Sequence, residues 1–181
     1  MSQHIKIPQD RIGVIIGEGG ETKREIEEAA EVSLTVDSDS GSVRIDKTGD
    51  PIKGLKGSDI VKAIGRGFPP ESALKLLENE MMVFETIDLK KATGSDSERR
   101  SQKGRLIGRN GKTRELMEDL TGAEVRIYGN TFGVIGTHEQ VDVAMTAAEM
   151  ILDGAPHGTV YSFLEEKRRE LKRNAIEYYE R

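Results

Sequence analysis

Residues 106–114 read LIGRNGKTR and residues 15–23 read IIGEGGETK, so a Gly-x-x-Gly turn occurs twice at an offset of 91 residues. The apolar pattern that follows the glycines repeats at the same offset. The aligned pairs are Ile26 with Met117, Leu34 with Val125, and Val36 with Ile127. An internal repeat of this kind indicates two tandem modules of one design.

Each copy has the pattern of a β-α-α-β-β-α unit. In the first copy we expect a strand at 4–7, helices from about Arg11 and about Glu21 with a core stripe of Ile26, Ala29 and Ala30, a hairpin of 32–36 and 43–45, and helices at 57–65 and 71–77. In the second we expect a strand at 81–89, a polar segment at 92–98, a basic helix into Gly108, a helix at 111–120, a hairpin of 124–128 and 131–135, and a helix at 137–152. The sequence therefore predicts an α+β protein with domains at 1–79 and 80–155.

Residues 156–181 form a predicted C-terminal basic amphipathic helix. Its apolar positions near one face are Val160, Phe163, Leu164, Leu171, Ala175 and Tyr178. Such a stripe usually packs on its own protein. Contact with RNA through the surrounding lysines and arginines, or docking of a partner, stays open as an alternative.

The two glycine turns have the chemistry of a phosphate clamp. Glycine permits a sharp turn and lets a phosphate approach the backbone, because no Cβ stands in the way. The helix after the turn directs unpaired N–H groups and the positive end of its dipole at the same phosphate. Binding by such a device needs no bond-making residue.

The residues Ile16-Gly17-Glu18-Gly19-Gly20 and Ile107-Gly108-Arg109-Asn110-Gly111 resemble the signature of the KH domain family, and the element order resembles the type I KH arrangement. The resemblance implies that each turn clamps the backbone of about four nucleotides of single-stranded RNA while bases lie on an apolar groove. For the second copy it implies these candidate RNA-binding residues: Arg105, Ile107, Gly108, Arg109, Asn110, Gly111, Lys112, Arg114, Val125 and Arg126. Among them Arg109 and Lys112 would contact phosphates, Asn110 sugar or phosphate, and Ile107 and Val125 the bases.

The first copy departs from this pattern in charge. Glu18 and Glu21 stand where the second copy has Arg109 and Lys112, and carboxylates repel phosphates. Its candidate RNA-binding residues are Gly17, Glu18, Gly19, Gly20, Lys23 and Arg24. We expect the second copy to provide most of the RNA affinity, with the first binding weakly, orienting the RNA or facing a protein.

The segments GEGGET and GRNGKTRELMEDLTGA resemble the archaeal two-KH-domain ribosome-biogenesis proteins, which are similar to the eukaryotic small-subunit factor that partners the Nob endonuclease. The resemblance implies binding near the 3′ end of small-subunit ribosomal RNA, together with a pre-rRNA endonuclease. The alternative is a protein-interaction adaptor in translation initiation or RNA degradation, whose RNA contact is secondary.

Composition excludes several other classes of protein. The chain has no cysteine, and its formal net charge of −5 conceals a run, Arg99 to Arg114, with seven cations and no acid. No apolar run is long enough for a membrane span, and the N-terminus lacks a signal-peptide layout, so we expect a cytoplasmic protein without membrane contact.

No pattern in the sequence predicts catalysis or a cofactor. His4, His138 and His157 lack the spacing of metal ligands. A Walker motif would need glycine at position 106, which is Leu106, and no nucleophile stands beside a base. We expect a protein that is not an enzyme and holds no metal.

Overall fold

A computed structural model of the chain describes residues 2–180. The chain folds into two compact units, one ending at Met82 and the other beginning at Val83. Each unit contains a three-stranded sheet with helices, in the element order that the repeat predicts.

The elements of the first unit are β1 (Ser2–Lys6), α1 (Gln9–Ile16), α2 (Glu21–Ala30), β2 (Val32–Asp37), β3 (Ser42–Lys47), α3 (Pro51–Gly65) and α4 (Pro70–Leu74). Both outer strands pair antiparallel with β3, in the order β1-β3-β2. Helix α3 begins ahead of the predicted Gly57, because Asp50 accepts a hydrogen bond from the Ile52 N–H at 2.8 Å and Pro51 takes the first helical position.

The core of the first unit lies between its sheet and α1, α2 and α3. In the hairpin, Leu34 pairs with Ile45, and both side chains are buried. On α2, Ile26 and Ala30 are buried as predicted, whereas Ala29 is exposed. The prediction for Ala29 was wrong because only one side of this helix meets the sheet and α3.

The elements of the second unit are β4 (Met82–Asp88), α5 (Leu89–Ala92), α6 (Asp96–Ile107), α7 (Lys112–Thr121), β5 (Glu124–Tyr128), β6 (Thr131–Thr137), α8 (His138–Leu152) and α9 (His157–Tyr179). The sheet order is β4-β6-β5, so β5 is an edge strand next to α7. The predicted polar segment 92–98 is partly helical, because Ser95 caps α6 by accepting from the Glu98 N–H at 3.1 Å.

Helix α9 packs on α7 and α8 through its first half, where Val160 and Leu164 are fully buried. Its second half does not continue this packing, and Ala175 and Tyr178 of the predicted stripe are exposed. Leu171 and Asn174 still share a shallow recess with Glu139 and Asp142 in the first turns of α8, and from residue 175 to residue 180 every position of the chain is exposed.

Candidate nucleic-acid interface

The two glycine turns have the same backbone conformation. Gly17 has φ 72° and ψ 176°, and Gly108 has φ 76° and ψ 172°, a region that is essentially restricted to glycine. A Cβ on Gly108 would also lie 2.3 Å from Thr113 Oγ1. The left-handed residue in the middle of the turn is Gly19 in one copy and Asn110 in the other, which tolerates this conformation.

The second turn presents an open helix start to solvent. Helix α7 begins at Lys112, directly after Gly111, and within residues 2–180 no side chain caps it. A Cβ built on Gly111 would meet no protein atom within 4 Å. The start of α7 therefore has no side-chain cap of its own, although Thr113 is buried, and the helix dipole favours an anion there.

The cations of the second turn are available to a ligand. Arg109, Asn110 and Lys112 are exposed, and among the described residues neither Arg109 nor Lys112 forms an ion pair. Ile107, just before the turn, is partly buried and offers an apolar surface. These four predicted residues therefore lie together around the free start of α7.

Arg105, a predicted flanking contact for RNA, is instead used inside the second unit. Its guanidinium donates to the carbonyl of Ile151 at 2.6 Å and to the carbonyl of Ala155. These carbonyls lie at and just after the end of α8, where helical hydrogen bonding stops, so a cation there satisfies groups that would otherwise lack a donor. Arg105 thus has partners within the second unit, and its contact with RNA stays a prediction.

Val125 is likewise not a groove residue, because its side chain is fully buried in the core of the second unit. Only its backbone reaches the edge of the sheet. Its N–H donates to Glu118 Oε2 at 3.1 Å, and its carbonyl accepts from Arg126 at 3.0 Å and Arg114 at 3.4 Å. The alternation of β5 directs this side chain inward, which contradicts its predicted contact with bases.

Glu118 is a residue of the site that the sequence analysis did not single out. It forms ion pairs with Arg114 and with Arg126, the latter at 3.2 Å, so both predicted RNA contacts share an internal carboxylate. The first copy has the same arrangement. Glu27 accepts from the Leu34 N–H at 2.9 Å and pairs with Lys23 at 3.4 Å. The recurrence of this glutamate at the offset of 91 was the signal that could have revealed it.

The first turn carries exposed carboxylates, and the two cations that follow it have partners within the first unit. Glu18 and Glu21 are exposed, while Arg24 donates to the carbonyl of Gly19 at 3.0 Å. Lys23 pairs with Glu27. Lys23 and Arg24, the two cations among the candidate RNA-binding residues of the first copy, thus both have partners within the first unit.

Other site chemistries find no support in the part of the chain that the structure describes. Residues 2–180 contain no group of three or more side chains placed to hold a metal ion. None of their helices has both the length and the apolar content needed to cross a bilayer.

Two family models match the chain. One, described as a eukaryotic-type KH domain (KH domain type I), matches residues 83–169, and one described as a KH domain matches residues 2–65. A KH domain-containing protein from Methanocaldococcus jannaschii is 48% identical over 180 residues, which is 98% of this chain and 78% of that protein. A pre-rRNA-processing protein PNO1 from Debaryomyces hansenii is 29% identical over 110 residues, 60% of this chain and 43% of that protein. The chain spans less than half the length of that eukaryotic relative.

Two solved structures from Pyrococcus horikoshii are similar over nearly the whole chain. The crystal structure of Dim2p has a TM-score of 0.84 and 44% identity, covering 92% of this chain and 99% of that one. A chain in a crystal structure of an a/eIF2alpha–aDim2p–rRNA complex has a TM-score of 0.86 and 43% identity, covering 94% of this chain and 95% of that one.

Proposed function

This chain belongs to the KH-domain family that includes the Methanocaldococcus jannaschii protein and Dim2p of Pyrococcus horikoshii, and we propose that it is a non-catalytic, cytoplasmic RNA-binding factor of small-subunit ribosome maturation. Its RNA is single-stranded and lies near the 3′ end of small-subunit ribosomal RNA. The support for ribosomal RNA is that relatives carry the name pre-rRNA-processing protein and that a similar solved structure is a complex with rRNA.

One observation carries the assignment of the binding site. The two turns share one backbone conformation but differ in charge: the second places the exposed Arg109 and Lys112, neither in an ion pair among the described residues, where the first has the exposed Glu18 and Glu21. Single-stranded RNA presents phosphates that such a turn can hold through helix N–H groups and charge-assisted contacts. The second turn therefore holds the RNA backbone through Arg109, Lys112 and the start of α7.

The mechanism is positional. The turn holds the phosphates, Ile107 provides apolar contact for a base, and the bound strand is presented to a processing enzyme such as a pre-rRNA endonuclease. Specificity then comes from the unpaired bases and affinity mostly from the phosphates, so the affinity depends on salt concentration.

The experiment is a titration of the protein, at stated salt concentrations, with RNA from the 3′ end of small-subunit ribosomal RNA and with a scrambled RNA. The variant Arg109→Glu/Lys112→Glu gives the second turn the acids that the first turn has at the same offset. Each charge about 5 Å from a phosphate contributes about 0.8 kcal/mol in water, so reversing two charges costs about 3 kcal/mol before screening, or up to about a hundredfold in affinity.

Arg168→Glu/Arg169→Glu, at two exposed positions of α9, is a control with the same change in net charge. We expect the turn variant to lose the native RNA and the control to keep it. Equal binding of native and scrambled RNA would rule out ribosomal RNA as the specific target. Binding of RNA by the turn variant as tightly as by the parent protein would rule out the second turn as the binding site.

An adaptor role in translation initiation is the second candidate, because the similar rRNA complex also contains a/eIF2alpha. The observation on this chain that favours a protein contact is the end of α9, where Ile176, Tyr178 and Tyr179 are 57%, 78% and 85% exposed. Binding of a purified initiation-factor subunit that persists in the Arg109→Glu/Lys112→Glu variant would support this role.

A further inference from the structure

Helix α6 has one face committed to the second unit and another face that is not. On the committed face, Gln102 donates to the carbonyl of Leu152 at 3.2 Å, Arg105 binds the end of α8, and Leu106 is fully buried. Arg99, Lys103 and Ile107 follow one another at intervals of four residues, so they form a stripe that borders this face and is partly exposed. This stripe covers about 12 Å and ends at the entrance to the second turn.

The beginning of the stripe borders a shallow recess of about 290 Å³. Its lining residues are Asp96, Arg99, Arg100, Lys103 and Asn130. Three of the five side chains are cationic and one is anionic. Asp96 pairs with Arg99, and within residues 2–180 the buried Arg99 Nε has no hydrogen-bond partner, while Arg100 makes no ion pair.

The first copy closes the equivalent place with its own side chain. At the offset of 91, Gln9 corresponds to Arg100, and Asp39 lies in the longer hairpin turn of the first copy, as Asn130 lies in the turn of the second. Gln9 Nε2 donates to the carbonyl of Asp39 at 2.9 Å and so ties α1 to the tip of the hairpin. In the second copy a guanidinium replaces this amide, and the space between helix and hairpin is open.

We propose that this recess is an additional phosphate-binding site for the same RNA, one that holds a backbone phosphate outside the nucleotides clamped by the second turn. The proposal rests on the proposed function, because it extends the RNA contact of that turn along α6. Guanidinium groups suit phosphate oxygens because they donate several hydrogen bonds in a fixed fork. The Asn130 amide, on the opposite wall, supplies a neutral donor.

The test compares RNA of about four nucleotides, which fills the turn, with RNA of about twelve nucleotides that contains the same core. The variant Arg99→Gln/Arg100→Gln/Lys103→Gln removes the cations of the recess. Arg168→Gln/Arg169→Gln/Lys172→Gln, at exposed positions of α9, is the control with the same loss of charge. Affinity is measured between about 0.05 and 0.2 M salt, and circular dichroism checks that each variant is folded.

We expect the recess variant to bind the short RNA as the parent protein does and the long RNA more weakly. Each phosphate contact to a single strand contributes about 0.7 to the slope of log K against log salt, so losing the one phosphate held by the recess lowers the slope for the long RNA by about 0.7 and its affinity at 0.1 M salt by about fivefold. Arg100→Gln/Lys103→Gln, which retains the Arg99–Asp96 pair, should lower the slope and the affinity for the long RNA in the same direction, by a smaller amount. This double variant is used for the test if the triple variant does not fold.

Unchanged affinity and slope for the long RNA in a folded recess variant would overturn the proposal, and so would an equal loss in the α9 control. Failure of the proposed function has a different signature. In that case the parent protein binds neither RNA in a way that depends on Arg109 and Lys112.

Discussion

Glu118 links the stability of the second unit to its affinity for RNA, and replacing it should change the two in opposite directions. Its carboxylate holds the Val125 N–H at 3.1 Å and pairs with Arg114 and Arg126, and its side chain is only 23% exposed. Glu118→Gln removes the charge and keeps an acceptor for the N–H. Glu118→Ala removes both.

The magnitudes follow from these contacts. Two partly exposed ion pairs contribute about 0.2–1 kcal/mol each, so Glu118→Gln should cost about 1 kcal/mol. An unpaired N–H at the edge strand adds about 1–3 kcal/mol in Glu118→Ala. One kcal/mol corresponds to about 4–8 °C in the Tm of a domain of this size, so the Tm should fall from the parent to Gln to Ala.

The affinity for RNA should rise in both variants, because Arg114 loses its carboxylate partner beside the second turn. One additional phosphate contact raises the salt slope by about 0.7 and the affinity at 0.1 M salt by about fivefold. Thermal unfolding followed by circular dichroism and RNA titration at several salt concentrations measure the two effects.

Glu27→Gln is the matched control, because Glu27 makes the same contact with the Leu34 N–H in the first copy. It should lower stability and leave the affinity unchanged. A fall in stability without a gain in RNA affinity for Glu118→Gln would refute the reasoning, since Arg114 would then not face the RNA.

Three further predictions concern backbone, pH and chain length. Gly108→Ala should lower the unfolding free energy, measured with denaturant, by more than about 2 kcal/mol and abolish RNA binding, because the new Cβ would lie 2.3 Å from Thr113 Oγ1 at a residue with positive φ. Gly104→Ala is the control, since among the described residues a Cβ there would have no neighbour within 4 Å apart from the adjacent residues and its own helix backbone, and it should leave stability unchanged or raise it. Burial raises the pKa of Asp59, so the carboxyl favours folding below pH 3.8 and this contribution is lost as the pH rises through the folded-state pKa. Asp59→Asn should therefore be more stable than the parent at pH 7 and lose this advantage near pH 3. Denaturant unfolding at both pH values measures this, and the same difference in unfolding free energy at pH 3 and pH 7 would contradict the prediction. Truncation after Leu171 should leave the Tm within about 2 °C of the parent, because residues 172–180 are exposed; a larger loss would show that they pack.

Much of the fold could be predicted because it depends on local spacing. The two glycine turns, the element order and the hairpins follow from residues close together in the chain, and Glu124–Tyr128 begins and ends where expected. Helix starts were less predictable, since Asp50 and Ser95 set them by capping contacts that the apolar pattern does not reveal.

By itself, the sequence determined that there are two copies of one module with a Gly-x-x-Gly turn and that the second turn is the cationic one. The tertiary structure decided which cations are available. Arg105 is occupied by carbonyls 46 and 50 residues away, while Arg100 borders an open recess opposite Asn130. The physical reason is that a charge can be counted from sequence, whereas its partner is supplied by whichever distant segment the fold brings within hydrogen-bond distance.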